Sequence, residues 1–172
     1  MAYKLAGMVA AAALAISTVA IAAGPTDPQI AHIAYTAGNI DVAAAKQALA
    51  KSHNKAVREF ASEMVRDHEA VNAKALALVK ALKVTPEDNP TSQALSKAAK
   101  DEMKKLASLK GSAFDKAYVN NEVAYHGTVN DALKSTLIPS AHNAQLKSLL
   151  ETGLTLFQEH QKHAEHLAST LK

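Results

Sequence analysis

Four long stretches of this chain place apolar residues at three- and four-residue intervals, and none sustains apolar–polar alternation. That pattern prescribes helices, each with one face to bury against the others. The first stretch opens at Asp27-Pro28, an N-cap followed by proline at the first helical position. It predicts a helix to about Lys51 along Ile30, Ile33, Ala34, Ala37, Ile40, Ala44 and Ala48. Ser52-His53-Asn54 breaks it, and Asn54 caps a second helix to about Lys83. The stripe of that helix is Val57, Phe60, Ala61, Met64, His68, Val71, Ala75, Leu78, Val79 and Leu82. A proline-containing loop over 84–90 follows, then a shorter helix from about Thr91 to Leu109. Gly111 ends that helix and Ser112 caps a fourth, Ala113 to Leu137, with Phe114, Tyr118, Tyr125, Val129 and Ala132 facing inward. Ile138-Pro139-Ser140 predicts a turn. A fifth helix from Ala141 to Leu171 carries Leu146, Leu149, Leu150, Gly153, Phe157, His160, Ala164, Leu167 and Leu171 on its stripe.

Four long helices and one short one predict an all-α four-helix bundle. The two short turns make the first and second helices antiparallel, and likewise the fourth and fifth. The third helix, at about 1.5 Å per residue, spans roughly 28 Å and is long enough to carry the chain from one end of the bundle to the other. That crossover makes the second and fourth helices parallel, which is the ferritin-like arrangement. The competing topology is up-down-up-down, with the third helix packed across one end.

Residues 1–23, MAYKLAGMVAAAALAISTVAIAA, have one charge, Lys4, ahead of a small-apolar run, and Ala20-Ile21-Ala22 fits the small-x-small rule. They predict a signal peptide cleaved after Ala22 or Ala23, a periplasmic location, and one mature domain over 24–172. The alternative is a retained anchor, because the run of about 18 residues sits at the threshold for spanning a bilayer. The absence of cysteine excludes a disulfide scaffold, thiolate catalysis and thiolate metal sites. A net charge of +3, with 19 basic and 16 acidic residues interspersed, does not mark a nucleic-acid binder. Lys97, Lys100 and Lys104 share a face of the third helix, but Asp101 and Glu102 beside them read as an ordinary solvated surface. No partner or oligomeric state is indicated.

Polar residues on the apolar stripes carry the functional signal. Asp41 falls on the inner face of the first helix and His68 in the stripe of the second. Glu122 and His126 form an i,i+4 pair at the edge of the inner face of the fourth helix. His160 lies on the stripe of the fifth, His163 at its edge and His166 outside. With a crossover, the first four residues fall within roughly 8 Å of one another in height, and His160 somewhat nearer the first interhelical turn. Carboxylates and imidazoles converging from different helices can hold Fe, Mn or Zn. The same residues can instead form a structural His–carboxylate network that fixes register. The run His160, His163, His166 is a weaker metal signal of its own.

The chain resembles the bacterial "domain of unknown function 4142" family of exported proteins. The resemblance rests on Ala37-Gly38-Asn39-Ile40-Asp41, where the family often has Glu at the position of Asp41, and on Phe60-Ala61-Ser62-Glu63-Met64-Val65-Arg66-Asp67-His68. Phe114-Asp115, His126 and the His-containing end of the fifth helix add to it. The resemblance covers about Asp27 to Leu171 and implies a ferritin-like fold with no established reaction. The Glu-x-x-His pairs of di-iron bundles are absent from the inner stripes. No nucleophile elbow, phosphate loop or dinucleotide loop is present either. The leading expectation is therefore a non-enzymatic structural, stress-related or interaction role. The alternative is a metal-binding or redox protein using Asp41, His68, Glu122, His126 and His160.

Overall fold

The structure, a computed structural model, describes residues 24–171. The predicted leader, residues 1–23, lies outside the described residues. Every described element is helical: α1 (Asp27–Lys51), α2 (Lys55–Ala81), α3 (Pro90–Ser108), α4 (Gly111–Ala132), a π-helical turn (Leu133–Leu137), α5 (Ile138–Ser140) and α6 (Ala144–Thr170). Among the described residues no helix is long and apolar enough to cross a membrane.

Local chemistry accounts for most helix starts. Asn54 accepts from the N–H groups of Ala56 and Val57 at α2, Asn89 from Ser92 at α3, and Asn143 from Gln145 and Leu146 at α6. The expected cap at Asp27 moves back one residue. Thr26 is the N-cap, and its N–H donates to Gln29 Oε1. Asp27 is thereby released, and its carboxylate accepts from the backbone N–H groups of His142 and Asn143, tying the start of α1 to the start of α6.

Three boundaries differ from the sequence reading. α2 stops at Ala81 because Lys83 takes a left-handed φ of 54°. Gly111, at φ 55°, opens α4 rather than closing α3, which ends at Ser108 with Leu109 as its C-cap. Ile138-Pro139-Ser140 continues the helical path instead of turning. The wider π turn before it lets Ile138 N–H reach Leu133 O and buries both Leu133 and Leu137, and the chain reverses only at 141–143.

α1 packs on α2 and α4, and α6 packs on the same two, so α2 and α4 lie diagonally across the bundle. Side-chain pairs give the directions. Asp41 meets His68 and Asn39 meets Asn72, which makes α1 and α2 antiparallel. Tyr125 O–H donates to Ala37 O and Lys51 lies over Phe114, so α4 is antiparallel to α1. α3 runs beside α1 from Asn89, which donates to Gln29 O, to Met103 and Ala107, whose carbonyls accept from Gln47 and Lys51. It therefore carries the chain from one end of the bundle to the other, and α2 and α4 are parallel.

Two apolar cores result. One surrounds the α1–α2 turn, with Val57, Phe60, Met64, Leu106, Phe114, Tyr118 and Ala164 fully buried. The other lies near the α5–α6 turn, with Ile30, Ile33, Leu133, Leu137, Leu146, Leu150 and Phe157. A polar layer is interposed between them.

Candidate metal centre

That layer draws on all four long helices. Asp41 comes from α1, His68 from α2, Glu122 and His126 from α4 and His160 from α6, and none is more than 3% exposed. The three imidazoles form a triangle with ring centroids 5.6 Å apart for His68–His126, 5.3 Å for His68–His160 and 5.5 Å for His126–His160. One nitrogen from each ring lies within 4.8 Å of the other two, and Asp41, Glu122 and His126 offer a second trio at the same closeness. Asp41 Oδ2 stands 3.3 Å from His68 Nε2 and 3.5 Å from His126 Nε2. Phe157 stacks on the His68 ring at 4.6 Å and closes it from that side.

Two of the rings have a fixed orientation. His126 Nδ1 lies 3.0 Å from the backbone oxygen of Glu122, a contact that requires the proton on Nδ1 and leaves the Nε2 lone pair facing inward. His160 Nε2 donates to Asp67 Oδ2 at 3.1 Å, and Asp67 is itself gripped by Arg66 through two N–H donors. This leaves the His160 Nδ1 lone pair facing inward. A carboxylate or carbonyl on the far nitrogen is the usual outer support of a metal-binding imidazole.

The inward atoms lack protein partners. Asp41 Oδ1, both nitrogens of His68, Glu122 Oε2, His126 Nε2 and His160 Nδ1 are buried without a hydrogen bond. His68 is close to Asp41 but not aligned with it for a hydrogen bond. Electrostatics reinforces the picture. Burial, then the charge of Asp41, pushes the Glu122 carboxyl well above the usual carboxylate range. Burial also raises Asp41, opposed by His126. Burial and the neighbouring His160 lower His68 to about 3, and burial lowers His126 despite Asp41. The imidazoles of His68 and His126, which burial holds below the ordinary histidine range, stand beside carboxyls that burial disfavours ionising, and nitrogen and oxygen donors of this kind suit a divalent cation.

All five residues expected from the sequence thus meet in one place. Four expectations on detail need correction. Glu122 and His126 lie at the centre of the buried face of α4, because its line steps by four residues through Phe114, Tyr118, Glu122, His126 and Asn130. Tyr125 and Val129, expected inside, are half-buried. His160 lies level with the other rings rather than nearer the α1–α2 turn. Side chains lean toward the N-terminus of their own helix, which for α6 is toward the cluster. The run His160, His163, His166 does not form one site: His163 is exposed and pairs with Glu63 at 2.7 Å, and His166 is exposed. Sequence reasoning missed Asp67, Asn72 and Asn130. The two asparagines continue the His68 and His126 lines at i+4, a signal that could have found them. Asn72 donates to Asn39, and Asn130 to Phe157 O and Gln161 Oε1.

Residues 11–167 match the family model described as Domain of unknown function (DUF4142). No curated protein and no solved structure matches the chain.

Proposed function

The chain belongs to the DUF4142 family of unknown function, and we propose that it is a metal-binding protein holding a divalent transition-metal ion inside the bundle. The ligands are drawn from His68, His126 and His160 with Asp41 and Glu122. The observation that carries this reading is the set of inward-facing imidazole nitrogens of His68, His126 and His160 that are buried without a protein hydrogen bond, beside the Asp41–Glu122 carboxyl pair. A purely structural network would pair them, since leaving such groups unsatisfied costs about 1–3 kcal/mol each. Nitrogen and oxygen donors of this kind suit Zn, Fe or Mn. The crossover by α3 supports a ferritin-like architecture. The ligand pattern is not that of di-iron bundles, because Glu122 and His126 are spaced by four and the other helices supply one ligand each. The same proposal includes export, supported by the leader at residues 1–23, with a mature chain beginning at Ala23 or Gly24.

Elemental analysis of untagged periplasmic protein, with melting curves in chelator and in added Zn, Fe(II) or Mn, tests the reading. Metal at 100 times its Kd adds about 2.7 kcal/mol of stability. His68→Ala should abolish that gain. A wild type that melts identically with and without every metal overturns the proposal. A gain that survives His68→Ala also overturns it and moves the site to exposed histidines. Intact mass of the periplasmic form tests cleavage.

A further inference from the structure

A cavity of about 570 Å³ runs through the second apolar core, from the cluster to the end of the bundle where α1 and α3 begin. Its inner end is formed by Asp41, His68 and His126, which are buried, and its far end by Gly24, Pro90 and Thr91, which are exposed, so it opens at the far end. Along α1 the lining extends from Gln29 to Asp41, about 18 Å of helix at about 1.5 Å per residue. Every long helix gives up bulk to make the space: Ala34 and Ala37 on α1, Ala75 on α2, Ala132 on α4 and Gly153 on α6 line it. The π-helical turn adds Leu133, Thr136 and Leu137 to the wall, and single turns of this kind are frequent at functional sites. The volume falls in the range of small-molecule sites.

We propose that this cavity binds a linear aliphatic chain, inserted from the mouth with its methyl end toward the cluster and its head group left at the mouth. The inference goes beyond the metal-binding reading and does not depend on it. The wall selects the chain. Between its ends it is built from aliphatic side chains, Ile33, Val71, Val79, Leu95, Leu137 and Leu150 among them. A hydrocarbon chain leaves water and gains dispersion contacts all along such a surface. An aromatic ring finds no free stacking partner there: Phe157 is stacked on His68, and Tyr125 is tied by its hydroxyl to Ala37 O. A lining about 18 Å long is also the reach of an extended chain rather than of a compact ring system. Charge places the head. Among the described residues lining the cavity there is no Lys or Arg to pair with an anion, and the one carboxyl, Asp41, faces His68 and His126. A charged or strongly polar head carried down the aliphatic wall would lose its hydration with no partner on the way. At the mouth, Gln29, Thr91 and Thr136 are polar and reached by water. Free fatty acids and the acyl chains of lipids both supply such a chain.

The experiment is calorimetric titration of the purified protein, chelator-stripped and Zn-loaded, with butanol, hexanol, octanol and decanol. Affinity should rise about fourfold per added methylene, with a negative heat-capacity change. The compact alcohols 1-adamantanol and 2-naphthol, of the same carbon count as decanol, should bind at least tenfold more weakly than decanol. Decanoate and decanoyl-lysophosphatidylcholine should bind with and without Zn, and the tighter of the two tells a free fatty acid from a lipid as the source. Ala34→Phe and Ala75→Leu, which fill the cavity from two helices, should each weaken decanol binding at least tenfold. Affinity that does not rise with chain length, compact alcohols that match decanol, decanoate binding that needs Zn, or full decanol binding by a folded variant overturns the inference. The wild-type series decides the question even where neither variant folds. Protein that binds chains but takes up no metal overturns the metal reading alone, and protein that takes up metal but no chain overturns this inference alone.

Discussion

His160 has one nitrogen on Asp67 and the other facing the cluster, so Asp67 sets which lone pair is presented. Asp67 sits at the rim, where its carboxylate is held below its ordinary range first by the hydrogen bonds from Arg66. Asp67→Ala should weaken metal binding by roughly 10–100-fold, the usual effect of removing such a support. The check is competition against a chelator, with metal-free melting as the control. Equal affinity in variant and wild type would show that Asp67 does not orient the ligand. Gly38 has a different role. A Cβ there would lie 2.3 Å from Asn72 Oδ1, so the missing methyl makes room for a buried amide that donates to Asn39. Gly38→Ala gains up to about 1 kcal/mol of helix propensity. Displacing the paired amide costs about 1–3 kcal/mol, so the variant should be the less stable. In an Asn72→Ala background the clash is gone and Gly38→Ala should stabilise by up to about 1 kcal/mol. Denaturant unfolding of the four proteins checks this, and equal effects in both backgrounds would refute the clash. The five inward residues were legible because each is a polar residue at a position whose periodicity asks for an apolar one. Asp67 was not, because its partner is on α6, and the periodicity of one helix does not tell which neighbour its flanks meet.

The start of α2 was legible because its cap is local: Asn54 falls where the sequence places it. Asn89 and Asn143 cap α3 and α6 just as locally, but they stand in stretches that read as loop and as helix interior. Boundaries set by distant contacts were not legible either. Asp27 reads as a cap because aspartate before proline usually is one, yet its carboxylate is used by residues 142 and 143. Pro139 reads as a turn, yet the π turn ahead of it lets the path continue so that Leu133 and Leu137 both reach the lower core. Asp27 therefore acts between elements, holding the start of α1 against the turn into α6. Asp27→Ala leaves the Thr26–Gln29 cap in place and removes two charge-assisted hydrogen bonds, so the cost should be about 1–3 kcal/mol. Thermal unfolding measures it. A variant as stable as the wild type would mean that water replaces the carboxylate without loss.

Across the whole molecule the two cores are unequal, and the polar layer is the joint between them. Around the α1–α2 turn, Val57, Phe60, Met64, Phe114, Tyr118 and Val119 are fully buried. Toward the other end α2 loosens its grip: after Asn72, its Ala75, Leu78 and Val79 are only half-buried, and the cavity takes the place of packed side chains. Segments with fewer buried contacts open at lower free energy than the global unfolding. In metal-free protein the amides of residues 73–81 should therefore exchange with solvent faster than those of 57–64 and 114–119. A metal bound at the joint links α1, α2, α4 and α6 at the upper edge of the looser half, so its binding energy must be lost before that half can open. Adding metal should slow exchange most in the lower half of the bundle and narrow the difference between the two ends. Hydrogen-exchange mass spectrometry with and without chelator reads both states. Equal protection of the two ends in metal-free protein would show that the cavity does not weaken the lower core. Slowing confined to the exposed end of α6 around His163 and His166 would place the metal outside the bundle.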